Sequence, residues 1–161
     1  MQKRVQIISN VKNIPTREDW GDFSGDFDVS DAYENFFGKS NQEMRKCFSQ
    51  NVMSRAQDIR FMPGIPFSYY IFGFCDFVLS KNYEGENTWD VADCFISVIK
   101  ERAEKNPSVL LPIFEYIETA LNFLVAHQEE FGADIEIYGD FEDASNLIKK
   151  AVIACGNSGG H

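Results

Sequence analysis

Few side chains in this sequence are of the kinds that carry out reactions, and their spacing excludes most of what they could do. Only two histidines occur, His127 and His161. Two imidazoles are too few for a structural metal site, and the Glu-x-x-His pairs of helical di-iron centres are absent. His127 falls at the end of an expected helix with Glu130 one turn on, the setting of a surface or half-buried histidine. Glu115 and Glu118 share a helical face at i, i+3. Glycoside hydrolysis needs two carboxylates facing each other across a cleft in different environments, and solvated glutamates satisfy this spacing equally well. Asp22, Asp26 and Asp28 invite a calcium reading, but their spacing and neighbours do not follow the EF-hand loop. The glycines fit neither the dinucleotide fingerprint nor the phosphate loop, and no nucleophile elbow is expected. No catalytic residue, metal ligand or cofactor-binding residue is therefore assigned, and an enzyme is not expected.

The four cysteines stand alone at 47, 75, 94 and 155, each on an apolar position of an expected helix. That pattern suits small buried hydrophobes in a reducing compartment better than a disulfide framework. The basic start Met1-Gln-Lys-Arg4 is not followed by an apolar core of signal-peptide length. The most apolar stretch, Ile65 to Leu79, is too short to cross a bilayer and carries Asp76. The expectation is a cytoplasmic protein that does not engage a membrane.

Charge says more. The net charge is −10, and it is uneven. Residues 1–80 carry nine Lys/Arg against ten Asp/Glu, whereas residues 81–161 carry six against fifteen. No Lys or Arg lies between Lys105 and Lys149, a window holding nine acids. Such a field repels nucleic acid and anionic membrane and attracts basic proteins. The densest basic group, Arg45, Lys46, Arg55 and Arg60, is interspersed with acids and reads as a solvated helix face.

The elements that must position these charges are helices, in a single domain over 1–161. Residues 1–29 read as an irregular arm, with Val5 to Ile8 either a short strand or an extended piece, and Asp19 to Asp28 a loop interleaving acids, aromatics and glycines. Ser30 is placed to cap a short helix that Gly38 ends. Ser40-Asn-Gln-Glu43 is a capping box, followed by Met44, Cys47, Phe48 and Val52 on one face of a helix over 41–59. Pro66 starts a helix apolar nearly all round, with Gly73 in its middle at a cost of about 1 kcal/mol relative to Ala, which implies a close helix approach there. Asn87 is placed to cap a helix with Trp89, Ala92, Ile96, Ile99 and Ala103 inward. Pro112 starts the next, with Ile113, Ile117, Ala120, Leu121 and Leu124 inward and Gly132 as terminator. Ala133 to Gly139 is either a short strand or an extended loop. Asp140 then caps a last helix with Phe141, Ala144, Leu147, Ile148, Ala151 and Cys155 inward, ended by Gly156 before a frayed tail over 156–161. The whole is an all-α domain of about five to six helices with its helical core over 30–155, either a compact antiparallel bundle or a short stack of helix pairs.

Two features remain: the acidic window and the acidic, aromatic loop at Asp22. Either they are a hydrated surface that confers solubility, or they form a docking surface in which acids steer a basic partner and aromatics anchor it. The docking residues would be Glu129, Glu130, Asp134, Glu136, Tyr138, Asp140, Glu142 and Asp143, with Asp22 and Phe23 as an outer rim and Trp20 a further loop aromatic.

In size, acidity, single cysteines, aromatic richness and segments such as Pro66-Phe-Ser-Tyr-Tyr-Ile-Phe-Gly-Phe and Asn106-Pro-Ser-Val-Leu-Leu-Pro-Ile-Phe-Glu, the chain resembles the helical immunity proteins of bacterial toxin–immunity pairs, such as those of contact-dependent growth inhibition. The resemblance is one of style over most of the chain, and it carries over no functional residue. It implies a protein that binds a cognate toxin, often a nuclease, and occludes its basic substrate cleft. The competing classes are a regulatory or adaptor helical module and a small enzyme.

Overall fold

The structure, a computed structural model, describes residues 13–158. Val5 to Ile8 and His161 lie outside the described residues. The fold is all-α, 75 % helix, with no strand among the described residues. Its helices are α1 (Phe27–Phe36), α2 (Asn41–Gln50), α3 (Val52–Arg60), α4 (Gly64–Ser80), α5 (Thr88–Lys105), α6 (Pro107–Leu110), α7 (Phe114–Ala126), α8 (Ile135–Tyr138) and α9 (Phe141–Ser158), with 3-10 turns at Glu18–Trp20 and Leu111–Ile113.

α4 forms the middle of the core, as its all-round apolarity requires. Phe67, Tyr70, Phe74, Phe77 and Val78 are fully buried. It packs between α2 and α7, while α5 packs between α3 and α9. The capping box that starts α2 is present in both directions: Ser40 Oγ accepts from the Glu43 N–H at 3.1 Å, and Glu43 accepts from the Ser40 N–H at 3.2 Å. Gly73 meets the first residue of that same helix. A Cβ there would lie 2.5 Å from Asn41 Oδ1, and the Asn41 amide donates to the Tyr69 carbonyl at 3.0 Å. The close approach expected at Gly73 is thus made by a side chain in the first turn of α2.

Several expected boundaries move, each for a local reason. α1 begins three residues before Ser30, because Asp26 caps it by accepting from the Val29 N–H. The arm over 1–29 is therefore not wholly irregular: it holds the 3-10 turn and the start of α1. The helix expected over 41–59 is two helices, broken at Asn51, which leaves helical geometry at φ −160° and caps α3 from its side chain. Asn competes with the backbone in this way wherever a nearby N–H can be captured. The segment 133–139 is neither strand nor loop: Asp134 accepts from the Glu136 N–H and closes the one-turn helix α8. α9 runs through Gly156 to Ser158, with Leu111 Cδ1 3.3 Å from where a Gly156 Cβ would stand.

Three residues expected inside or outside trade places. Trp89 is 37 % exposed and Leu147 56 % exposed, although both were assigned to buried faces. Trp20, read as a loop aromatic, is 1 % exposed and packs edge-on against Tyr33 at 5.4 Å.

Pro112 does not start a helix. It sits inside a 3-10 turn joining α6 to α7, so Pro107–Ala126 forms one helical stretch of 20 residues that includes an 18-residue window with a mean hydropathy of 1.5. By length and composition alone this stretch is long and apolar enough to cross a membrane, a test that a core helix also passes. Here one face of it, Leu110, Ile113, Ile117, Ala120, Leu121 and Leu124, is buried in the core.

Candidate docking surface

The residues after α7 are held by one side chain. Gln128 is buried beneath the chain that loops over it. Its Nε2 donates to the carbonyls of Ala133 at 3.1 Å and Gly139 at 2.8 Å, and its Oε1 accepts from the Phe141 N–H at 2.9 Å. The middle and far end of the loop are thereby fixed to the end of α7. Phe131 and Ala133 turn into the core, and Thr88 Oγ1 at the start of α5 donates to the Phe131 carbonyl at 2.8 Å. Gly132 and Gly139 bracket the outer part at φ +70° and +79°, left-handed positions where a side chain is strained.

Between those glycines, α8 turns Tyr138 against the core and its two isoleucines outward. Asp134 caps α8, and Asp140 Oδ1 accepts from the Glu142 N–H at 2.9 Å to cap α9. No residue of α8 is buried, and Ile135 and Ile137 are 57 % and 74 % exposed. Two isoleucines therefore project from a tethered turn whose neighbours are carboxylates.

The acidic surface is wider than its own stretch of chain. The start of α5 lies beside this loop, through Thr88 and Trp89, and burial, then the Asp90 and Asp93 carboxylates, raise the Tyr138 phenol above its ordinary value. The Trp89 ring stands 3.5 Å from where a Gly132 Cβ would be. Burial, and then Asp90, raise the Asp93 carboxyl, against an opposing pull from Arg60. The same half-buried surroundings, with Asp93 and Asp90, push the Cys94 thiol up to about 11, away from a reactive thiolate.

The ten residues singled out in the sequence divide into groups. Glu129, Glu136, Glu142 and Asp143 are exposed, with none in an ion pair among the described residues. Asp134 and Asp140 double as helix caps. Tyr138 is half-buried against the core, a supporting residue more than a projecting anchor. Glu130 is committed internally, 3.1 Å from His127 Nδ1 and 3.7 Å from Lys81 Nζ. Asp22 and Phe23 belong to another part of the molecule. Asp22 accepts from the hydroxyl and N–H of Ser24, which hold its carboxyl below its ordinary value, and Phe23 packs against Tyr33 beneath the Arg17 guanidinium. No hydrogen bond, ion pair or ring contact among the described residues joins either one to 129–143, so the expected outer rim is not assembled. Sequence reasoning missed Ile135, Ile137, Trp89, Asp90 and Asp93. The alternation of Ile135 and Ile137 with acids was visible, but only the turn shows that both are exposed.

Other chemistry finds little support in the geometry. A cleft of about 200 Å³ lies at the ends of α3 and α5, lined by Arg60, Glu101, Arg102 and Lys105 among others. Its cations are engaged: Arg60 and Lys105 with Glu101, and Arg102 with the Arg60 and Met62 carbonyls and the Phe67 ring. Cations gathered at two helix C-termini complement the free carbonyls there. Gly156-Asn-Ser-Gly-Gly160 does spell Gly-x-Ser-x-Gly, contrary to the expectation of no elbow. But Ser158 closes a helix and donates to the Ala154 carbonyl at 2.8 Å, whereas an elbow is a strand-to-helix turn. Among the described residues, no group of three His, Cys, Asp or Glu is placed to hold a metal ion. No family model, curated protein or solved structure matches the chain.

Proposed function

We propose that the chain is a cytoplasmic immunity protein that neutralises a cognate bacterial toxin, a basic nuclease domain, by occluding its active site. The observation that carries this reading is the outward projection of Ile135 and Ile137 from a turn tethered by Gln128 and ringed by acids. Charge alone gives fast, salt-sensitive encounter, whereas tight inhibition needs a few buried anchors inside a standard-sized interface. Here the acids steer a basic cleft into place, taking the positions that substrate phosphates would occupy, and the isoleucines bury in it. Glu136, Glu142 and Asp143, with Asp90 across the turn, supply the charge. The tether pre-organises the turn, which lowers the ordering cost of association.

In this reading an antiparallel helical bundle serves as the rigid support, and the protein is not an enzyme. It uses no cofactor and engages neither nucleic acid nor membrane. The test is co-expression with the product of the gene immediately upstream, if that product arrests growth on its own. Growth is restored and the two proteins co-purify one to one if the reading is right. Growth arrest that persists at full expression of the folded chain would overturn it.

A further inference from the structure

The region around α1 contains a second surface with the same two ingredients. Residues 18–38 carry seven acids and no Lys or Arg, a denser acidic run than the window after Lys105. Most aromatics there are used internally: Trp20 and Phe36 are buried, and Phe23, Tyr33 and Phe37 pack on one another. Phe27 is the exception. At 83 % exposed it is the most exposed large hydrophobic residue among those described. It opens α1, and Asp31 and Glu34 follow at i+4 and i+7 on the same helix face, both exposed. Ala32 and Phe36 form the opposite, buried face. No ion pair among the described residues engages Asp28, Asp31 or Glu34. The helix does not need Phe27 for its own stability, because Asp26 caps it and an exposed Phe is a poorer helix former than Ala.

We infer that the outer face of α1 is a second docking surface, in which Phe27 enters an apolar socket on a partner protein whose rim carries Lys or Arg. Charge complementarity selects that partner: α1 carries three exposed carboxylates, Asp28, Asp31 and Glu34, in no ion pair among the described residues, and an anionic membrane or nucleic acid would be repelled. This surface stands apart from α8, so it holds whether or not α8 docks a toxin.

The probe is an amphipathic helical peptide of Lys and Leu, with a Lys and Ser peptide of equal length and charge as control. Backbone amide shifts of the full chain locate each peptide, and titration yields its affinity. The Lys/Leu peptide is expected to shift the amides of α1 and to bind at least tenfold more tightly than the control. Phe27→Ala should weaken it about tenfold, as removal of one buried Phe side chain implies. Asp31→Lys with Glu34→Lys should weaken both peptides, more at low salt. Phe27→Ala must keep the wild-type melting midpoint, as its exposure demands. Equal affinity for the two peptides, or unchanged affinity in Phe27→Ala, would overturn the inference. Shifts confined to Ile135 and Ile137 would also overturn it while leaving the α8 surface intact.

Discussion

Two acidic segments, 18–38 and 129–143, look alike in composition but expose different kinds of apolar side chain, one aromatic ring in the first and two aliphatic chains in the second. In the first, the interleaved aromatics mostly turn inward. Trp20 is sealed against Tyr33 and Tyr70, and Phe23 lies between Tyr33 and Arg17, so Phe27 alone projects fully. In the second, the aromatics Phe131 and Tyr138 turn toward the core while the aliphatic pair Ile135 and Ile137 turns out. Alternation of acids with apolar residues therefore does not say which apolar residues are anchors. The backbone tethers decide it: Gln128 for the second segment, and the Asp26 cap for the first.

The sharpest way to break this contrast is Trp20→Ala. Emptying that site should cost about 3–5 kcal/mol in urea unfolding. A loss under about 1 kcal/mol would mean Trp20 is free to serve as a surface anchor after all. Gln128→Leu removes three hydrogen bonds at once. It should cost about 2–3 kcal/mol and release the Phe141 amide to hydrogen exchange. An unchanged exchange rate would show that the turn holds its shape without the tether. Ile135→Ala with Ile137→Ala should leave stability within about 0.5 kcal/mol, since both side chains are exposed, yet weaken toxin binding at least about tenfold. Glu136→Lys with Asp143→Lys should mainly slow association, and more so at low salt. Asp140 is better left alone in that test, because it caps α9. The smallest effect belongs to Asp93. Its folded carboxyl titrates above the unfolded value, so the native state holds more protons between the two. Stability then falls as pH rises through that window. Asp93→Asn should be more stable at neutral pH by less than about 1 kcal/mol for a half-buried group, with the gain vanishing below the unfolded value.

Much of the fold is legible from the residues. The capping box at Ser40, the apolar run at Phe67 to Leu79 and the helix starts near 41 and 141 follow from spacing and local capping, and those near 64 and 88 from spacing alone, since Asn87 makes no side-chain cap and donates to Asp90 instead. What was not legible came from single side chains acting out of period. Asn51 breaks a helix that its neighbours' periodicity would continue, and Asp26 starts α1 before Ser30 can. Trp89 sits at the helix end, where a face defined by later turns no longer meets the core. The acids of the proposed docking surface are legible as charge. Its anchors are not, because Ile135 and Ile137 are exposed by Gln128's bonds to the backbone at 133, 139 and 141, which no local pattern encodes.

The most direct measurement is titration calorimetry of the full chain with the product of the gene immediately upstream, wild type against Ile135→Ala with Ile137→Ala. One-to-one binding that weakens at least about tenfold in the variant, with an unchanged melting midpoint, is the predicted result. Equal affinity in the two proteins, or no binding by the wild type, would contradict a docking surface built on those two isoleucines.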